Sequence, residues 1–128
     1  MIASDAIVYI DGKGHPRATG TFARVLGVYV RQRKALSLMD ALGKMTLLPA
    51  RRLEGISPAM RHKGRVQVGA DADLTLFDPA TVIDRATYQR PTLTSAGIPY
   101  VIVGGVPVVD GGRIVGSAYP GKGIKSGG

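Results

Sequence analysis

The side chains of this 128-residue chain whose types and settings could do chemistry are Asp5, His15, Arg17 and His62, with the acidic pair Asp71 and Asp73 behind them. Asp5 follows the apolar phrase Met1-Ile2-Ala3 after a single serine. A carboxylate just past the end of a strand is where barrel enzymes hold catalytic groups, and the same residue type also serves as an N-cap or turn former, so both roles stay open. His15 and Arg17 flank Pro16 in a glycine-rich loop, and a rigid loop that offers a guanidinium suits recognition of a carboxylate. An exposed loop arginine needs no such partner. With two histidines, no His-x-His pair and no cysteine, a closed zinc site built wholly within the chain is not expected. Asp71 and Asp73 lack the further oxygens of a calcium loop and read as turn formers. Gly12-Lys13-Gly14 and Gly121-Lys122-Gly123 are too short to be phosphate loops.

The elements that must position these groups follow from hydrophobic spacing. The chain opens on a strand-like phrase rather than a loosely held polar tail, as though cut within a longer fold. Asp11 to Thr21 reads as a loop, broken by Asp11-Gly12, Gly14 and Pro16. From Gly20 the period changes: Phe22, Val25, Leu26, Tyr29 and Val30 fall on one stripe of a helix. Ser37, with Asp40 three residues on, predicts the start of a second helix with the apolar face Leu38, Ala41, Leu42 and Met45. Pro49 fits the first turn of a short third helix through Leu53, stopped by Gly55. Next come two strand-like runs, Arg65 to Val68 and Leu74 to Phe77, joined by a Gly, Ala and Asp turn that reads as a hairpin closed by Pro79. Ala80 to Ser95 reads as a loop with one short helical turn. Ile98 to Val103, Val106 to Val109 and Arg113 to Val115, separated by Gly104-Gly105 and Asp110-Gly111-Gly112, predict successive antiparallel strands. Helices before strands, with no internal repeat, give a segregated α+β order.

Composition bounds the rest. Hydrophobic residues make up 45% of the chain, which excludes a disordered class, but with 2 Phe and no Trp the core must be built from small aliphatic side chains. The net charge of +8 raises the question of nucleic acid. The basic clusters Arg31 to Lys34, Arg51-Arg52 and Arg61 to Arg65 carry no interleaved aromatic platform and no zinc-finger or helix-turn-helix signature. They read as a solvated face, part of which could meet an acidic surface outside the chain. The absence of cysteine, of a long apolar run and of a signal-peptide layout predicts a soluble, cytoplasmic protein with no membrane contact.

Several phrases together resemble one family. Ser4-Asp5, His15-Pro16-Arg17, Gly20 to Gly27, Lys44-Met45-Thr46 with Pro49-Ala50, Ala72-Asp73-Leu74 with Phe77-Asp78-Pro79, and Ala96-Gly97-Ile98 with Val101 to Gly105 are similar in order and spacing to the C-terminal portion of the N-acyl-D-amino-acid deacylases (D-aminoacylases) of the amidohydrolase superfamily. The resemblance implies that residues 1–63 are the last strand and helices of a TIM-type barrel and residues 64–128 a C-terminal segment of the accompanying β-sandwich. It implies that Asp5 is the general acid/base, which takes a proton from a metal-activated water and delivers it to the leaving amine. It implies that Arg17 pairs with the α-carboxylate of an N-acyl-D-amino acid. Ala6 departs from the family's glycine after the catalytic aspartate, and Gly104-Gly105 stands where the family has an Asn-Gly turn. The family's zinc ligands, histidines and a cysteine from earlier strands, have no counterpart here. The expectation is therefore a fragment that binds no zinc and does no catalysis alone, lacks the N-terminal barrel portion, and covers its apolar faces by forming a homo-oligomer. The alternative is a free-standing basic α+β binding module without catalysis.

Overall fold

The computed structural model describes residues 1–6 and 14–126. The expected loop over Asp11 to Lys13 lies outside the described residues. The protein is α+β, with the helices α1 (Arg17–Arg24), α2 (Leu38–Met45) and α3 (Leu47–Leu53) preceding a sheet of β1 (Leu74–Leu76), β2 (Tyr100–Val103), β3 (Val106–Asp110) and β4 (Arg113–Ile114). Contacts divide the chain into two compact units: Ile2–Ala41 with Phe77–Ile98, and Met1 with Leu42–Leu76 and Pro99–Gly128.

In the first unit α1 begins three residues before the expected start, because Pro16 has φ −59°, already in the helical well. The chain then widens into a π-helical segment, Val25–Gln32. Within it Gly27 admits a close neighbour: a Cβ on it would stand 2.6 Å from the Val82 carbonyl oxygen and 2.5 Å from the Ile83 Cδ1. The segment after Phe77 thus packs directly against helix backbone. Arg31 holds it there, donating through Nη1 to the carbonyls of Pro79 (3.0 Å) and Val82 (2.7 Å). Of the predicted stripe, Val25 and Leu26 are buried while Phe22 and Tyr29 remain exposed. Within 80–95, Asp78 shapes the turn: its carboxylate accepts the Ala80 amide and the Thr81 hydroxyl, both at 2.8 Å. Those two bonds hold the Asp78 carboxyl below the usual carboxylate range, the Ala80 amide contributing most. Ile83 then bridges to Ala96 in both directions.

α2 forms at the boundary of the units with the expected cap: Ser37 Oγ accepts the Asp40 amide at 3.1 Å and donates to the Asp40 carboxylate at 2.6 Å. In the second unit α3 carries Pro49 in its first turn, and a 3-10 helix, Pro58–His62, follows that the sequence reading missed. The sheet is antiparallel throughout in the order β1-β2-β3-β4. Both two-residue turns are the expected glycine pairs, with φ of +55° and +82° at Gly104 and Gly105 and +55° and +79° at Gly111 and Gly112. Positive φ at both central residues matches the right-handed twist of the flanking strands. Pro107, on a strand paired on both sides, has no amide to give the ladder, and the register of β2 and β3 slips beside it between Val101 and Ile102.

Two strand expectations fail. Leu74–Leu76 forms a strand, but it pairs with β2 (Leu74 to Ile102, Leu76 to Tyr100) and not with Arg65 to Val68. Lys63 occupies the carboxylates of Asp71 and Asp73, and Asp71 donates its amide to His62 O, so the chain over 62–73 closes as a loop. Val66 and Val68 are left 87% and 102% exposed. Met1-Ile2-Ala3 forms no strand either, since no described strand pairs with it. Buried apolar residues are few and small, Ala23, Val25, Leu26, Ala41, Ala50 and Val82, and no strand position is fully buried.

Candidate functional site

His15, Pro16 and Arg17 form the entry to α1. The first amides of a helix have no partner within it, and here the His15 side chain supplies one: its Nδ1 accepts the Arg17 amide at 3.1 Å. An imidazole nitrogen that accepts is unprotonated, so the ring carries its proton on Nε2. That nitrogen lies 3.0 Å from the Tyr88 hydroxyl, and the two rings meet edge to face with centroids 5.1 Å apart. Thr21 Oγ donates to the Arg17 carbonyl at 2.8 Å. Thr19 Oγ donates to the Pro91 carbonyl at 2.7 Å, and Ser95 Oγ donates to the Thr19 carbonyl. The first turn of α1 is thereby fixed from its own side and from the 88–95 segment.

The structure brings the two predicted site residues together. Arg17 Nη2 lies 3.1 Å from Asp5 Oδ2, with the Asp5 side chain 84% exposed and that of Arg17 33%. Asp5 holds φ +50°, in the left-handed region that non-glycine residues seldom adopt, Asp more readily than most. Ala6, which stands in place of the family's glycine, is not among the positive-φ residues, so the departure noted in the sequence introduces no strain at that position. Arg17 Nε is buried without a hydrogen-bond partner. Nε and Nη2 share one edge of the guanidinium, the edge that takes both oxygens of a carboxylate side-on. Asp5 therefore engages one of the two donors on that edge, and the other, the buried Nε, has no hydrogen-bond partner.

Beside this pair lies a cleft of about 420 Å³. One wall is the face of α1 that carries Gly20, Thr21 and Arg24, and the other is the segment with Asp84, Tyr88 and Gln89. Arg24 and Asp84 close a 3.0 Å ion pair across it. The sequence did not announce Tyr88, Asp84 or Arg24 as partners. Tyr88 lies 73 residues from His15 in a stretch without periodicity, and no local pattern signals such a pairing.

His62 is elsewhere employed, its Nδ1 bonded to Gly69 O at 3.0 Å. Among the described residues no group of three His, Cys, Asp or Glu side chains could hold a metal ion. A tetrahedral zinc site needs three or four such ligands, so the residues present do not fit one. Asp71 and Asp73, read as turn formers, serve as the anchors of Lys63. The hydrogen bonds that Lys63 donates to Asp73 and then Asp71 raise its pKa above the usual 10.5. The Lys63 bond and then the Gly104 amide hold the Asp73 carboxyl below its usual 3.8.

Known proteins are similar to this chain over most of its length. The pattern of the amidohydrolase family matches residues 3–109. An N-acyl-D-glutamate deacylase of Alcaligenes xylosoxydans xylosoxydans is 48% identical over 108 residues, which cover 84% of this chain and 21% of the relative. An N-acyl-D-aspartate deacylase of the same organism is 41% identical over 121 residues, 94% of this chain and 23% of the relative. The crystal structure of a D-aminoacylase superposes with a TM-score of 0.81 at 43% identity, covering 91% of this chain and 23% of that one. The N-acyl-D-glutamate deacylase of Bordetella bronchiseptica, solved with zinc and a phosphonate mimic of the tetrahedral intermediate, gives 0.69 at 47% identity over 75% of this chain and 19% of its own. The chain thus spans about a fifth of the length of the curated relatives it matches. On the match over residues 3–109, the chain belongs to the amidohydrolase family.

Proposed function

We propose that this chain carries the proton-transfer carboxylate and the carboxylate-binding arginine of an N-acyl-D-amino-acid deacylase, and that it does not turn over substrate alone. Amide hydrolysis needs a proton removed from the attacking water and one delivered to the departing amine. Asp5 is the group for both transfers. Arg17 takes the α-carboxylate of the N-acyl-D-amino acid on the guanidinium edge that it otherwise offers to Asp5. The observation that carries this reading is the Asp5–Arg17 pair with its unpartnered Nε. The deacylase names of the relatives support the substrate class.

In this reading residues 1–63 are the end of a TIM-type barrel and residues 64–128 a C-terminal segment of a β-sandwich. The zinc that a relative's structure contains would be held by residues outside this chain. The exposed Phe22 and Tyr29 in one unit, and the exposed Val66 and Val68 with the uncovered sheet in the other, support apolar surfaces that a larger enzyme, or further copies of this chain, would cover. The compartment is the cytoplasm.

The test uses the purified chain with N-acetyl-D-glutamate and zinc. The expected outcome is no release of free amino acid and no stoichiometric zinc, with a shift of the Arg17 Nε–H resonance as N-acetyl-D-glutamate is added. Turnover with one zinc per chain would overturn the inactive-fragment reading, and an unmoved Arg17 resonance would overturn the substrate role of that side chain. Light scattering on the same sample should give an oligomer; a well-folded metal-free monomer would favour the binding-module alternative.

A further inference from the structure

We infer that His15 and Tyr88 are positioning residues: Tyr88 holds the His15 ring in place, and that ring fixes the helix entry from which Arg17 reaches its carboxylate. The inference deepens the reading of Arg17 as the carboxylate-binding residue, and rests on it.

The residues that usually accept a helix's first amides are Asn, Asp, Ser and Thr, whose side-chain oxygens are always able to accept. An imidazole nitrogen is different, because it accepts only in the right tautomer. His15 Nδ1 takes the Arg17 amide at 3.1 Å. The opposite tautomer would place N–H against N–H and expel the ring from the cap. The Arg17 amide, which can only donate, selects the form with the proton on Nε2, and the partner of that second nitrogen holds the ring in place. Tyr88 Oη, 3.0 Å from Nε2, accepts its proton, and the edge-to-face contact of the rings, 78° between planes, prevents the imidazole from swinging away. The amide so captured belongs to Arg17 itself. Its carbonyl is held by Thr21 Oγ, which leaves the guanidinium stem with a fixed base. Among the described residues, Arg17 is paired with Asp5 at 3.1 Å and Arg24 with Asp84 at 3.0 Å. Both carboxylates are engaged with arginines. Nothing in the chemistry of a helix start demands histidine, and an asparagine would cap as well. A tautomer-dependent cap whose second nitrogen is read by a tyrosine 73 residues away ties the placement of Arg17 to the 84–89 wall of the cleft.

The experiment is nuclear magnetic resonance on the full chain. Long-range proton–nitrogen correlation of the histidine rings reports the His15 tautomer, and the Arg17 amide and Nε–H signals report the helix entry and the guanidinium separately. The wild-type chain should show the Nε2–H form. His15→Leu should lower the exchange protection of the Arg17 amide about five-fold, the loss of one cap, and displace the Arg17 Nε–H signal. His15→Asn, which restores an acceptor, should recover both. Tyr88→Phe should leave the chain folded while shifting the His15 ring signals and moving the same two Arg17 signals. An Nδ1–H tautomer in the wild-type chain would overturn the inference, and so would a Tyr88→Phe chain with unchanged His15 and Arg17 signals. Full amide protection with a displaced Nε–H in His15→Asn would overturn the link from cap to guanidinium. These readouts need no added carboxylate. Failure of N-acetyl-D-glutamate to move Arg17 in the wild-type chain would instead count against the substrate role alone, with the tautomer result standing.

Discussion

Replacing Asp73 by alanine tests whether its two hydrogen bonds join the 62–73 loop to the sheet. One carboxylate oxygen is bonded by Lys63 Nζ and the other accepts the Gly104 amide at 2.7 Å, in the turn between β2 and β3. A hydrogen bond to a charged group contributes roughly 1.5–3 kcal/mol when well shielded, but the Asp73 side chain is 34% exposed, so solvent screening puts the Gly104 bond at the lower end. The Lys63 pair, similarly wet, adds about 0.2–1 kcal/mol. Lys63 keeps Asp71 at 2.9 Å, and the neighbouring Gly105 amide still donates to the Ala72 carbonyl, which limits the loss. Asp73→Ala should therefore cost about 1.5 kcal/mol locally, a drop of roughly ten-fold in the exchange protection of the Gly104 amide. Asp73→Asn keeps an acceptor for Gly104 and loses the charge, and should cost about 0.5 kcal/mol, roughly two-fold. The pH dependence follows from the shifts. The Asp73 carboxyl titrates below 3.8 in the folded chain, so its contribution is present above that pH and is lost as pH falls through the lowered value. Lys63 titrates above 10.5, so its contribution is present below that pH and is lost as pH climbs through the raised value. Between the two the wild-type protection should stay flat once the intrinsic exchange rate is divided out. Equal Gly104 protection in the wild-type and Asp73→Ala chains would refute the assigned bond. Equal losses in the alanine and asparagine variants would show that the charge, not the acceptor, carries it.

Gly64 and Gly69 have φ of +69° and +83°, yet a Cβ at Gly64 would stand 2.5 Å from the Thr46 carbonyl oxygen while one at Gly69 meets nothing within 4 Å. Gly69→Ala should thus cost about 1 kcal/mol from the backbone alone, and Gly64→Ala about 3 kcal/mol or more, as read by urea titration of a signal in α3; equal costs would contradict the close approach. Ser37→Ala should remove about 1 kcal/mol from the start of α2, seen as faster exchange at the Asp40 amide, with Ser37→Asn restoring it. Arg31→Met keeps the aliphatic stem but leaves the Pro79 and Val82 carbonyls without their donor, and should loosen the 79–83 segment by about 1–3 kcal/mol, measured as faster exchange at the Val82 and Ile83 amides with the exchange in α3 unchanged.

What could be read from the sequence was whatever short-range chemistry determines. The glycine pairs 104–105 and 111–112 fix tight turns because both central residues need positive φ, and the strands on either side follow from them. Ser37 and Asp40 fix a helix start because cap and capped amide lie three residues apart. The hairpin expected over 65–77 failed for the opposite reason. Its alternating valines are equally compatible with an exposed loop, and the outcome was decided by Lys63, which satisfies Asp71 and Asp73, and by β2, which arrives from residue 100 to take the β1 edge. The candidate site divides in the same way. Asp5 and Arg17 could be named one at a time, from a carboxylate after an apolar phrase and a guanidinium beside a proline. Their 3.1 Å contact could not, since residues 6–16 lie between them in the sequence. Still less legible was the second ring of the site. Tyr88, Thr21 and Ser95 act through bonds to His15 and to the backbone of α1, and a residue that works by holding another carries no signature of its own type. For this chain, then, chemistry-bearing residues announce themselves, whereas the residues that aim them become visible only when the 84–95 segment is laid against α1.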